Sequence, residues 1–162
     1  MNNLERVQAK IFDREKLENQ LAIWRFQSKK IVFTNGCFDL LHLGHIDYLS
    51  KAKDLGDILI IGVNTDDSVR RLKGESRPIT DENSRSSIIA SLQFVNAVVL
   101  FDEDTPYELI KQVQPDVLVK GSDYKPEDIV GFDIVKAKGG EIVTIDYLEG
   151  YSTSGIINKL TV

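Results

Sequence analysis

The 162-residue chain holds one cysteine, two histidines, one tryptophan and four prolines. The single thiol, Cys37, closes no internal disulfide, and two histidines with one cysteine make no tetrahedral zinc set, so a structural metal is not expected. Long apolar runs are also missing. The longest, Ile58-Leu59-Ile60-Ile61-Gly62-Val63, falls far short of the roughly 20 residues that span a bilayer, and the N-terminus lacks the apolar core of a signal peptide. There is no excess of positive charge: the net −5 argues against nonspecific binding to nucleic acid or to anionic membrane. These absences leave a soluble cytoplasmic protein as the expectation. A hydrophobic share of 42% suffices for one buried core.

What is present is an alternation. Apolar, β-rich runs recur at Lys30 to Asn35, Asp57 to Asn64, Ala97 to Phe101, Val117 to Lys120 and Glu141 to Ile145, with helical stretches between them. They are apolar nearly throughout, as strands covered on both faces should be, which predicts a Rossmann-like, doubly wound α/β fold. Five mainly parallel strands with helices on both faces are expected. Ile88, Ile89, Leu92 and Val95 recur at helical spacing, Thr105-Pro106-Tyr107-Glu108 reads as a capping box with proline at the first helical position, and Gly139-Gly140 ends a helix holding Ile134, Val135 and Ala137. The last helix should run from about Ser152 to Leu160. Residues 1–29 read as a helical extension, with Leu17, Leu21 and Trp24 on one face that packs beside the core or against another subunit. Residues 30–162 read as the main domain.

The richest stretch is Thr34-Asn35-Gly36-Cys37-Phe38-Asp39-Leu40-Leu41-His42-Leu43-Gly44-His45, which places both histidines three residues apart where a strand gives way to a helix. Rings so spaced can face one point off the helix N-terminus, where unpaired N–H groups and the helix dipole favour a phosphate. Gly44 leaves room for a nucleotide to approach the backbone. In an open parallel sheet ligands bind beyond the carboxyl ends of the strands, where strand order reverses. Lys120-Gly121-Ser122-Asp123 leaves the fourth expected strand and Gly150-Tyr151-Ser152-Thr153-Ser154 follows the fifth, so both should meet the histidines in one crevice. The three consecutive hydroxyls exceed the needs of one helix cap and can form a second anion site. Lys120 and Asp123 can equally make a local turn and ion pair. Arg70, Arg71, Lys73 and Arg77 make a basic segment, read as a loop after a short helix, that either faces solvent or joins the crevice. Asp39, Asp66 and Asp67 can cap helices or reach a magnesium ion held mainly by phosphates. Cys37 reads as a small buried residue, not a nucleophile.

The run Gly36 to His45 resembles the signature of the cytidylyltransferase-like nucleotidyltransferases. Arg71-Leu72-Lys73-Gly74-Glu75-Ser76-Arg77-Pro78, Phe101-Asp102-Glu103-Asp104-Thr105-Pro106 and Leu118 to Glu127 resemble, within that superfamily, the adenylyltransferases of bacterial ADP-heptose synthesis. Tyr147-Leu148-Glu149-Gly150-Tyr151-Ser152-Thr153 lacks the arginine that opens the last motif of the cytidylyltransferase branch, which favours the heptose branch over a glycerol 3-phosphate cytidylyltransferase.

The resemblance implies adenylyl transfer from ATP to a sugar 1-phosphate with magnesium, carried mainly on the ATP phosphates, as cofactor. It implies catalytic roles for His42, His45 and Lys73. It further implies nucleotide contacts from Asn35, Gly36, Cys37, Phe38, His42, His45, Lys120, Gly121, Asp123, Ser152, Thr153 and Ser154, and acceptor or phosphate contacts from Asn64, Asp66, Arg85 and Lys125. A homodimer, and a sugar kinase on a separate protein, are also implied, since residues 1–29 are too few to hold a kinase.

Overall fold

In a computed structural model that describes residues 1–161, six parallel strands form one sheet: β1 (Ile11–Phe12), β2 (Ile31–Gly36), β3 (Ile58–Asn64), β4 (Ala97–Phe101), β5 (Val117–Gly121) and β6 (Glu141–Ile145). Their order across the sheet is β1-β4-β3-β2-β5-β6. The chain therefore builds outward from β2 through β3 to β4, then crosses back to place β5 on the other side of β2. The reversal between β2 and β5 opens a crevice at their carboxyl ends.

The five expected strands lie where the apolar runs put them, to within one residue at either end. The sixth, β1, was not foreseen. It has two residues, paired in register with Val98 and Val99 of β4, and covers what would otherwise be the sheet's open edge. Two residues carry no periodicity, so no pattern could reveal them.

Alternate strand residues feed two cores, one on each face. On one face Ile31, Phe33, Ile58 and Ile60 pack with Leu17, Leu21 and Trp24 of α2 (Arg14–Phe26) and with Leu109, Ile110 and Val113 of α6 (Tyr107–Val113). On the other, Val32, Leu59, Ile61 and Val63 meet Tyr48, Leu49 and Ala52 of α3 (Leu43–Lys53) and Ile89 and Ala90 of α5 (Glu82–Ser91). α2 is thus built into the core of this same domain.

Three local expectations are corrected. The basic segment is not a loop from its start: Arg70, Arg71 and Lys73 form the last turn of α4 (Asp66–Lys73), where cations complement the helix dipole, and the loop begins at Gly74 with φ 97°. Leu92 and Val95 lie beyond α5, which stops at Ser91. The Thr105 capping box does not form. Pro106, with φ −78° and ψ 14°, occupies the N-cap position of α6 and no side chain caps it. At the opposite end of the chain α7 (Phe132–Lys138) stops at Gly139 in the left-handed conformation, and α8 (Thr153–Leu160) starts after Ser152, as the signals predict.

Candidate functional site

A cleft of about 850 Å³ occupies the β2/β5 reversal. Its floor is the carboxyl end of the sheet: Asn35 and Gly36 from β2, Asn64 from β3, Lys120 and Gly121 from β5. Five connections wall it, two of them the β4–α6 connection with Thr105 and Pro106 and the β5–α7 connection with Tyr124, Asp128 and Ile129. The other three hold most of the expected residues: the β2–α3 turn with His42 and His45, the end of α4 with Lys73, and the approach to α8 with Tyr151, Ser152, Thr153 and Ser154.

The β2–α3 turn is tightly constrained. Phe38 holds φ 48°, a left-handed conformation that costs a bulky side chain energy, and its buried ring lies beneath Gly36 and edge-on to His45 at 5.3 Å. An added Cβ on Gly36 would sit 3.0 Å from that ring. Asp39, 3% exposed, fastens the turn from the other side. Its carboxylate accepts Arg77 Nε at 2.6 Å, the N–H groups of Ile79 and Thr80 at 2.9 Å, and the Thr80 hydroxyl at 3.1 Å. Burial alone would raise its pKa, but those backbone N–H groups and the Arg77 guanidinium outweigh burial and leave it below the ordinary value. Both oxygens of Asp39 are thereby spent on the protein, which corrects its candidacy as a magnesium ligand.

His42 is the N-cap residue of α3 and His45 its third residue. Their rings stack with centroids 3.8 Å apart and planes 24° apart. The His42 N–H donates a long bond, 3.4 Å, to Nδ1 of His45, which assigns the His45 proton to Nε2. Nδ1 of His42 is buried without a partner, as is Oδ1 of Asn35. Polar atoms left in this state are uncommon in folded proteins and mark places where a ligand completes the bonding. Burial lowers the pKa of His42, and burial followed by the His42 ring brings His45 down from 6.5 to about 4. At neutral pH both imidazoles are therefore uncharged hydrogen-bonding groups. Gly44 has a different use from the one expected: a Cβ there would meet the His42 ring at 3.0 Å and Cβ of Tyr151 at 3.1 Å, so its bareness admits the chain's own side chains.

These shifts predict a pH response of the unliganded protein. An unfolded histidine takes up its proton near pH 6.5, whereas folded His45 resists until about 4, so the unfolded state binds more protons between those values and stability falls as pH drops through that window. Urea midpoints measured from pH 7 to pH 5 should decline in the wild type and decline less in His45→Gln. Parallel curves would show that His45 is not the group responsible.

Of the four cations in the basic segment, three are committed. Arg70 pairs with Asp67 at 2.5 Å, Arg71 with Asp104 at 2.9 Å, and Arg77 with Asp39. Lys73 has no carboxylate partner among the described residues, and it lines the cleft. Ser152 caps α8 by accepting the Gly155 N–H at 3.0 Å. That leaves the hydroxyls of Thr153 and Ser154 facing the cleft beside the helix N-terminus. Lys120 is largely buried, which lowers its pKa to about 8, and its ammonium lies 5.8 Å from the centre of the Tyr124 ring.

Four expected site residues stand outside the lining. Arg85, 1% exposed, donates from Nε to the Thr80 carbonyl at 3.0 Å, from one terminal nitrogen to the Cys37 carbonyl at 2.6 Å and from the other to Asp66 at 2.8 Å. Buried Arg85 and half-buried Asp66 thus form a brace behind the β2–α3 turn. This corrects their expected contact with substrate, and with Asp66 so held it is no free metal ligand. Lys125 is exposed on the loop after β5, and Asp123 is exposed beside Tyr147, whose phenol burial and the Asp123 charge push up to about 12. Among the described residues no group of three or more His, Cys, Asp or Glu could hold a metal. A magnesium ion held at this donor set would be bound mainly through the oxygens of a polyphosphate.

Sequence reasoning missed Tyr147 and Asp128 in the lining. Tyr147 lies directly over Gly121, where a Cβ would fall 2.1 Å from its hydroxyl, and it stacks on buried Tyr48 at 6.0 Å. No spacing in the chain links residues 48, 121 and 147. The parallel pairing of β5 with β6 and the packing of α3 on the sheet bring them together.

A cleft whose uncommitted groups are two neutral imidazoles, the ammonium groups of Lys73 and Lys120 and a helix N-terminus suits a polyphosphate. No helix in the described residues is long and apolar enough to cross a membrane. The bifunctional protein HldE of a Nitratiruptor strain is 58% identical over 150 residues, 93% of this chain and 32% of that protein. This chain spans about a third of the length of such curated relatives. The crystal structure of a lipopolysaccharide core biosynthesis protein from Thermoplasma volcanium is 34% identical, with TM-score 0.62, covering 75% of this chain and 99% of that one. A Francisella tularensis pantoate-beta-alanine ligase, 19% identical with TM-score 0.62 over 90% of this chain and 69% of that one, shares the fold. The sequence profile of the cytidylyltransferase-like family matches residues 33–159, from the middle of β2 to the end of α8, and the chain belongs to that family of nucleotidyltransferases.

Proposed function

We propose that the protein transfers AMP from ATP to D-glycero-β-D-manno-heptose 1-phosphate, giving ADP-heptose and pyrophosphate. The observation that carries the reading is the gathering of uncommitted donors at the β2/β5 reversal: His42, His45, Lys73 and the α8 N-terminus with Thr153 and Ser154. Identity with the HldE relatives and the arginine-free Tyr147 to Ser154 segment support the heptose branch.

An oxygen of the sugar phosphate attacks the α-phosphorus in line, a new P–O bond forms, and the bond to the bridging oxygen breaks with its electrons leaving on pyrophosphate. The nucleophile is already an anion, so no base is needed, and catalysis rests on positioning and on stabilising charge. His42 and His45 donate to the oxygens around the α-phosphorus. The neutral state imposed by burial suits donation without a competing proton transfer. Thr153, Ser154 and the α8 N–H groups hold the triphosphate, and Lys73 neutralises the departing pyrophosphate. Asn35 to Phe38, Lys120 and Gly121 line the nucleotide's place, with Asp123 at its rim. Magnesium supplies charge neutralisation on the polyphosphate. Residence in the cytoplasm beside ATP and a homodimeric state belong to the same reading.

Pyrophosphate release measured over ATP and CTP, each with heptose 1-phosphate, other sugar 1-phosphates and glycerol 3-phosphate, tests it. Turnover should be greatest with ATP and the heptose phosphate. Preference for CTP with glycerol 3-phosphate would replace the reading with a cytidylyltransferase, and nucleotide binding without turnover would replace it with a sensor. Lys73→Ala should lower kcat at saturating magnesium-ATP, because Arg70, Arg71 and Arg77 beside it are held by carboxylates. An unchanged rate would reduce Lys73 to a surface residue.

A further inference from the structure

The cleft lining also includes Asn64, Leu72, Thr105, Pro106, Asp128 and Ile129, which the phosphate-binding groups above leave unused. We infer that Thr105 and Asp128 are specificity-determining residues that bind the hydroxyl groups of a polyhydroxylated acceptor, and this rests on the adenylyl-transfer reading of the same cleft.

Three observations carry the inference. First, neither side chain is spent on the protein among the described residues. The sequence pattern assigns Thr105 to capping α6, but Pro106 takes that position and Thr105, exposed in the cleft lining, makes no capping bond. Asp128, at the end of the short 3₁₀ turn Pro126–Asp128, has no cation paired with it, unlike Asp104 nearby, which is held by Arg71.

Second, both stand on fixed ground. Thr105 and Pro106 lead into α6, whose Leu109 and Ile110 are buried, and Asp128 precedes Ile129, 3% exposed in the same core. Gly131, with φ 91°, lets the chain turn against Ile110, where a Cβ would come within 2.8 Å, and Tyr107 donates to Asp133 at 2.8 Å. Side chains held on anchored elements bind with little ordering cost.

Third, the cleft lining carries both signs. Lys73, Lys120 and the α8 N-terminus favour anionic groups, whereas the Asp128 carboxylate repels a phosphate and accepts hydrogen bonds from hydroxyls. An acceptor with phosphate at one end and several hydroxyls at the other can enter in one orientation only. Leu72, Pro106 and Ile129 offer apolar surface to the C–H faces of such a ring. A short phosphomonoester would leave the carboxylate unmatched, and sites built to bind hydroxyls discriminate strongly against ligands that lack them.

The test compares Asp128→Ala and Thr105→Val with the wild type. KM for heptose 1-phosphate is measured by pyrophosphate release, and affinity for a non-hydrolysable ATP analogue by calorimetry. Loss of a hydrogen bond to a charged group corresponds to about a 10- to 100-fold rise in acceptor KM for Asp128→Ala, with a smaller rise for Thr105→Val. ATP-analogue affinity should stay within about twofold, and the preference for the heptose phosphate over glycerol 3-phosphate should shrink. An unchanged acceptor KM, or an equal loss of analogue affinity, overturns the inference. If the wild type uses another polyol phosphate and not the heptose phosphate, the adenylyl-acceptor assignment fails, yet the same two variants must still raise the KM of whichever polyol phosphate is used. If only glycerol 3-phosphate is used and both variants leave its KM untouched, both readings fall. If nothing turns over, calorimetric titration of heptose 1-phosphate into the wild type and Asp128→Ala decides, and equal binding or none overturns the inference.

Discussion

Replacing His42 or His45 by alanine is expected to lower turnover about 10²- to 10³-fold, roughly 2.7 to 4 kcal/mol of lost transition-state stabilisation, with the fold retained. The size follows from where the rings stand. Both are uncharged, packed face to face at 3.8 Å, and set at the start of α3, so their donors are aimed before substrate arrives. The partnerless Nδ1 of His42 shows that the unliganded protein leaves one of these groups unsatisfied. Because each ring holds its neighbour in place, the double variant should lose far less than the product of the two single losses. The measurement is kcat at saturating substrates beside a urea midpoint for each variant. Near-normal turnover in both folded single variants would remove the histidines from the chemistry, whatever else they do in the cleft.

How much of this was legible in the sequence depends on the range over which each residue acts. The apolar runs located five strands to within a residue because a buried parallel strand must be apolar on both faces, a purely local property. His42 and His45 were legible for the same reason: three residues apart, at the passage from strand to helix, they announce their own geometry. Ser152 as a cap and Gly139 as a stop are equally local. Arg85 was misread because its partners lie at residues 37, 66 and 80, and nothing near residue 85 distinguishes an arginine that braces a turn from one that meets a phosphate. Asp39 shows the same limit, since its ligands come from residues 77 to 80. Thr105 failed as a capping residue for a subtler reason. The proline after it satisfies the sequence rule for a first helical residue, yet the chain turns into the helix one position later.

Arg85→Ala should lower stability by about 3 kcal/mol, the lower end of the cost of removing one partner from a buried ion pair, because Arg85 is fully buried while Asp66 is 22% exposed. Its guanidinium is fully buried and divides three ways, so truncation leaves the Asp66 carboxylate, the Cys37 carbonyl and the Thr80 carbonyl without their donors at once. Lysine should restore little, because an ammonium on a flexible stem cannot reproduce a planar fork that reaches three acceptors. Asp66→Asn added to Arg85→Met separates the two contributions. It removes the uncompensated charge and fills part of the volume, while the two carbonyls stay unmatched. Urea unfolding should therefore show partial recovery in the double variant, with residual activity still depressed, because Cys37 belongs to the turn that carries His42 and His45. Full recovery of both stability and turnover would mean that only charge balance mattered. A loss below about 1 kcal/mol in Arg85→Ala, the range of an ordinary exposed ion pair, would mean that water replaces the guanidinium and that the turn is held by Asp39 and Phe38 alone.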